Sequence, residues 1–231
     1  MSVSDYKELL RKPMLEDLNG HIGRASGGNI DKTVVFYHVI TRTQGGENHF
    51  LTKGAGDYRH SLLCNLCEER GITILFSVTM PNHTHEVFLT PGWEELSDMI
   101  RTLNTNLSKY IRRHTTARIG NKQRIFRRYP IYIPIRDIVY LMTLGKYIYD
   151  NPNYLRAEKR FIPCETFWMF KTGHMLTGYD EKIYPRLFDL TPAQIYELFS
   201  TKSIEQVREY AKKRYAFWTQ EMTRAVFCRK E

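Results

Sequence analysis

Two β-rich runs, Ile72 to Met80 and His83 to Thr90, are separated only by Pro81-Asn82. Strands joined by so short a turn pair antiparallel, because a parallel pair needs a crossover of a dozen residues or more. A helical pattern precedes this hairpin from Asp57 to Arg70, with Tyr58, Leu62, Leu63 and Leu66 on one side and Gly71 at its end. Before it comes a β-rich run, Thr33 to Thr41, with Gly45-Gly46 breaking the pattern. After the hairpin, Trp93 to His114 reads as an amphipathic helix with Leu96, Met99, Ile100, Leu103, Leu107, Tyr110 and Ile111 as its apolar stripe. A strand over Tyr129 to Ile135 follows, then a helix from Arg136 to Asp150 that Pro152 ends.

The order predicts an α+β fold: a ferredoxin-like sandwich with a central antiparallel sheet and helices packed on it. Thr191-Pro192-Ala193 starts a helix, with Pro in the first turn. Another is expected from Ser203 to about Thr223, giving a C-terminal helical extension. Residues 1–30 read as an arm with a short helix (Tyr6 to Leu18) and a Gly-rich linker (Gly23 to Gly28). The expected division is therefore 1–30, 31–175 and 176–231.

The net charge of +9 is unevenly placed. Between Arg101 and Arg128 lie Arg101, Lys109, Arg112, Arg113, Arg118, Lys122, Arg124, Arg127 and Arg128, with no Asp or Glu. The 25 other basic residues balance the 25 acidic ones. A block like this reads as a polyanion-facing surface; the alternative is a solvated helix face with no partner. No apolar run approaches the ~20 residues that span a bilayer, so no membrane partner is expected. The first residues carry no secretory pattern. Four cysteines in this length make no disulfide framework, and a cytoplasmic setting is the expectation.

Two residue pairs could carry chemistry. Side chains alternate along a strand, so His83 and His85 share a face and Thr84 takes the other. Two imidazoles on one face can share a metal ion, or be two ordinary histidines near a turn. Tyr147 and Asn151 stand four apart on a helix and share its face. A phenol with pKa near 10 is a weak nucleophile without an oriented target and a cation, and an Asn carbonyl is an oxygen ligand for Mg²⁺ or Mn²⁺. Other signals carry less. Cys64-Asn65-Leu66-Cys67 has zinc-like spacing but no second pair. His114-Thr115-Thr116 has no second copy, and Gly23 to Gly28 lacks the strand a phosphate loop needs. His38 faces the sheet and could approach the site, with a satisfied structural role the expectation, and Phe167 and Trp168 read as packing.

Met80-Pro81-Asn82-His83-Thr84-His85 resembles the signature of the HUH single-tyrosine transposases, the insertion-sequence-200-like family. Tyr147-Ile148-Tyr149-Asp150-Asn151-Pro152 resembles that family's tyrosine segment, and Phe36 to Val39 with Thr41-Arg42 resembles its opening strand. Within the family the chain is most similar to the REP-associated tyrosine transposases, over about residues 33–170. Thr84 and Glu86 depart from the pattern, which has apolar residues there.

The resemblance implies that 31–175 is a catalytic domain. His83, His85 and Asn151 would hold Mg²⁺ or Mn²⁺, and Tyr147 would attack single-stranded or hairpin DNA to form a 5′-phosphotyrosine link. Arg101, Lys109, Arg112, Arg113, Lys122, Arg124, Arg127 and Arg128 would contact the DNA. Tyr110, Phe126 and Tyr129 are the candidate base-stacking rings, with core packing the alternative for each and the expected role of Tyr110. A homodimer is possible, since relatives occur as dimers and as monomers. The alternatives are a domesticated binding protein that no longer cuts, and a metal phosphoesterase using water.

Overall fold

The first described strand, β1 (Phe36–Arg42), is almost wholly buried, which a strand manages only when both faces are covered. In this computed structural model, residues 36–115, 119–120, 123–135, 137–151, 165–173 and 178–216 are described. The expected arm and linker, Thr33 to Val35, Arg118, Lys122, Arg136, Pro152 and the chain beyond residue 216 lie outside them, as does the Trp168 side chain.

β2 (Thr73–Thr79), β3 (His83–Leu89) and β4 (Ile131–Ile135) complete a four-stranded sheet of order β2-β3-β1-β4. Every neighbouring pair is antiparallel. This is the expected α+β sandwich. The Pro81-Asn82 turn closes with Met80 N–H donating to the His83 carbonyl at 2.8 Å.

Helices cover both faces. α1 (Ala55–Glu69) and α2 (Trp93–His114) pack on one. There Leu63, Leu66, Leu96, Met99, Ile100 and Leu103 meet Tyr37, Val39 and Ile74. The stripe expected for the second helix is the side it buries, except that Tyr110 is only partly covered. Tyr110 stacks between Tyr58 (centroids 4.3 Å) and His114 (4.0 Å). Cys64 and Cys67 are buried in α1 and form no disulfide with each other.

The other face carries α3 (Ile138–Asp150), α4 (Glu165–Thr172), α5 (Ile183–Phe188), α6 (Pro192–Thr201) and α7 (Ile204–Arg214). α3 starts at Asp137, whose side chain accepts from the backbone of Val139 and Tyr140, so the helix begins later than expected. α4 and α5 were not foreseen: eight and six residues are too short to show a period. α6 and α7 open with capping boxes at Thr191 and Ser203. α7 ends at Arg214 rather than near Thr223, and the Tyr215 hydroxyl donates to the Phe188 carbonyl at 2.7 Å.

These helices share one core with the sheet. Phe188, Phe199, Val207 and Ala211 cluster with Phe76, Leu141, Leu144 and Ile148. A Cβ on Gly145 would lie 2.8 Å from Phe76 and 3.1 Å from Phe199, so α3 sits closer to sheet and α6 than any other residue would allow. The buried Lys146 ammonium donates to the Phe199 carbonyl (2.6 Å) and Asp150 (2.7 Å), tying α3 to the end of α6. Edge strand β2 is covered too: Ser77 N–H donates to Thr166 and Ile74 N–H to the Gly178 carbonyl.

Candidate functional site

The end of the hairpin is held by the segment that follows β1. Thr43 N–H donates to the Asn82 carbonyl and Phe50 N–H to the Pro81 carbonyl. Gly45 and Gly46 take φ of 69° and 78°, a region that glycine enters without strain. That fold brings the Gly46 carbonyl to the Asn82 amide nitrogen at 3.0 Å. The amide is thereby oriented, and its oxygen lies 2.7 Å from His83 Nδ1. His83 therefore donates from Nδ1, and in the neutral ring that leaves the lone pair on Nε2. Asn82, read in the sequence only as a turn residue, positions a histidine.

His83 and His85 project to one face, their rings 5.0 Å apart and perpendicular. His85 is buried, and its Nδ1 lies 2.9 Å from Nε2 of His38 on β1. Burial holds the His85 imidazole well below the ordinary histidine range, and His38, His83 and Arg42 reinforce this. Burial alone brings His38 down to about 3. Both rings are neutral at physiological pH, as metal-ligating imidazoles must be. For His85 to offer Nε2, its Nδ1 must donate to His38, an orienting contact typical of ligating histidines. The Nδ1 of His38 then has no partner among the described residues. Of the two readings the sequence left for His38, the contact with His85 favours the one at the site.

Tyr147 comes to the same place from α3. Its ring meets His85 edge-on, with centroids 5.3 Å apart. Burial pushes the phenol up, while a hydrogen bond from Asn151 and the charge of Arg42 draw it down. Asn151, buried at the end of α3, also donates to the Tyr147 carbonyl at 3.3 Å. Its amide hydrogens face the tyrosine, which leaves the side-chain oxygen as the available donor atom. Tyr149 points elsewhere, its ring against Phe167, Tyr196 and Phe199. Two residues along a helix is about 200° of turn.

The donor set fits a divalent ion: two imidazoles whose Nδ1 atoms are engaged by neighbours, and one amide oxygen. Among the described residues no group of three or more His, Cys, Asp or Glu is set to hold a metal by itself.

The opposite face explains the two departures from the family pattern. Thr84 donates to Glu86 at 2.9 Å, and Glu86 pairs with Arg59 of α1, all three buried. One carboxylate thus accounts for both polar residues.

The basic segment lies partly beside the site. Thr43 bridges to Phe126, and Arg127 N–H donates to the Arg42 carbonyl at 2.9 Å. Arg124, Arg127, Arg128 and Tyr129 are exposed there, and Arg128 lies over the Tyr129 ring at 5.0 Å. Lys109 and Arg113 are exposed on α2, and Arg101 pairs with Asp98. Arg112 donates to the carbonyls of Gly120 and Gln123, so much of its hydrogen-bonding capacity holds the loop. Phe126 is buried against Phe50 and belongs to the core, which corrects its expected role as a stacking ring. No described helix is long and apolar enough to cross a membrane.

No curated protein matches the chain. Among solved structures, one described as a REP-associated tyrosine transposase bound to a REP hairpin matches with a TM-score of 0.49 and 16% identity, covering 68% of this chain and 91% of that one. The family model described as "Transposase IS200 like" matches residues 32–151, more than half of the chain and a span that holds both histidines, the tyrosine and the asparagine. The chain belongs to the IS200-like transposase family.

Proposed function

We propose that this transposase-family protein is a metal-dependent single-stranded DNA nuclease and strand transferase with Tyr147 as its nucleophile. The observation that carries the reading is the edge-on contact of Tyr147 with His85, which puts a phenol beside two imidazoles and an amide oxygen. Mg²⁺ or Mn²⁺ held by His83, His85 and Asn151 would supply Lewis-acid polarisation of the scissile phosphate. The Asn82 and His38 contacts orient the two imidazoles. The Tyr147 oxygen bonds to phosphorus as the P–O3′ bond breaks. The phenol proton is balanced by the one the departing 3′-oxygen acquires. The product is a 5′-phosphotyrosine link and a free 3′-OH, and a 3′-OH from another strand end reverses the step. Exposed Arg124, Arg127 and Arg128 beside the site, with Lys109 and Arg113, provide a track for the phosphate backbone. Exposed Tyr129 offers a face to an unpaired base.

The test is incubation of the full chain with labelled hairpin-bearing single-stranded DNA and Mg²⁺ or Mn²⁺, resolved on a denaturing gel. The expected result is a covalent adduct that Tyr147→Phe abolishes. Cleavage without an adduct would instead indicate water as nucleophile. Retention without cleavage would indicate a binding protein. An adduct that persists in Tyr147→Phe would sink the assignment of this tyrosine.

A further inference from the structure

Arg42 ends β1 directly opposite His83. Opposed residues in an antiparallel pair project to the same face, with Cβ atoms roughly 4.5–5.5 Å apart. Arg42 therefore lies on the histidine face, one pair beyond Ile40 and His85. Its side chain is exposed. Among the described residues no Asp or Glu forms an ion pair with it, whereas Arg59 has Glu86, Arg70 has Asp98 and Arg214 has Asp189. Its charge reaches both halves of the site, lowering the proton affinity of His85 and of the Tyr147 phenol. Its backbone is joined to Arg127, where the exposed basic track begins.

An uncompensated guanidinium within reach of a nucleophile and two metal-type imidazoles calls for an anion. The planar fork of Arg matches two oxygens of a phosphate. We propose that Arg42 is a substrate-contacting residue whose guanidinium grips the non-bridging oxygens of the phosphodiester presented to Tyr147. Naming the scissile phosphate as its ligand rests on the nuclease reading above. The contact with a DNA phosphate rests on register, exposure and lack of a counter-charge. As the Tyr147 O–P bond forms and the P–O3′ bond breaks, Arg42 donates hydrogen bonds to the non-bridging oxygens and keeps all its protons. It is distinct from the segment 101–128, being among the described residues the one Arg or Lys the sheet itself delivers to the histidine face.

Two measurements test this. In a Tyr147→Phe background with EDTA, the affinity for a fluorescent hairpin-bearing single-stranded oligonucleotide is followed against salt. Arg42→Ala should lower the slope of log K against log[salt] by about 0.7, the value for one phosphate contact on a single strand. Arg42→Lys should keep the slope. With Tyr147 intact and Mn²⁺ present, Arg42→Ala should slow adduct formation on the order of 10²-fold, and Arg42→Lys should recover part of it. An unchanged salt slope in Arg42→Ala overturns the proposal whatever happens to the rate. A lowered slope in a protein that never forms an adduct supports the phosphate contact and removes the nuclease reading instead.

Discussion

His85 and Glu86 are adjacent, both buried, and face opposite sides of the same strand. On the Glu86 side the charges close on one another: Thr84 and Arg59 both donate to the carboxylate, sealed between α1 and the sheet. On the His85 side Asn82 engages Nδ1 of His83 and His38 engages Nδ1 of His85, while the buried Nδ1 of His38 has no partner among the described residues. The Tyr147 phenol stands close by, and an unpaired Arg42 lies at the rim. Buried polarity alone does not mark a site; what separates the two faces is whether the cation has its counter-charge inside the fold, as Arg59 has in Glu86. A carboxylate that meets its guanidinium in the core holds the fold, and an exposed cation with no counter-charge beside the imidazoles suits an anionic ligand.

Substitutions on the two sides should therefore fail differently. The largest expected effect is Tyr147→Phe, which should remove the covalent DNA adduct altogether with little change in the unfolding midpoint, read by denaturing gel and thermal melt. Next is Glu86→Ala on the opposite face. It strands the Arg59 guanidinium in the core, at a cost of about 3–5 kcal/mol by chemical denaturation. If that variant instead kept its stability but lost metal binding, the distinction between the faces would collapse.

His38→Ala sharpens the contrast, since His38 reaches the ligand only through His85. It should weaken Mn²⁺ binding by roughly 10- to 100-fold, measured by calorimetry on the DNA-free protein. Unchanged affinity would return His38 to a packing role.

The smallest effect is a pH dependence of the metal-free protein. Folding lowers the proton affinity of His38 and His85, so between about pH 6.5 and His38's folded value of about 3 the unfolded chain binds more protons. Their contribution to stability is complete above pH 6.5 and falls as the pH drops through this window. The slope approaches about 1.4 kcal/mol per pH unit for each histidine. Denaturation midpoints measured from pH 7 to pH 4 should show this acid limb, and His38→Gln should flatten part of it.

Much of the fold was legible because its signals are local. Two-residue alternation placed His83 and His85 together. The Pro81-Asn82 turn dictated an antiparallel pair, and a long apolar stripe marked α2. The misses share a cause as well. Phe126 has the composition of a stacking ring, and only its bridge to Thr43 turns it inward against Phe50. α4 and α5 are too short to declare a period, and their positions come from the core they fill.

The amino-acid order by itself determined which residues could be chemical: a histidine pair on one strand face, a tyrosine and an asparagine one helical turn apart, and a basic run without acids. Those are properties of residue type and short spacing, which backbone geometry converts directly into shared faces. Only the tertiary structure decided that these groups meet. Tyr147 reaches His85 from a helix more than sixty residues downstream, seated closely because Gly145 admits Phe76 and Phe199. His38 and Arg42 enter the site through strand register, which no local pattern encodes. Likewise, Thr84 and Glu86 are anomalies in the sequence until Arg59, packed across from them, supplies the counter-charge.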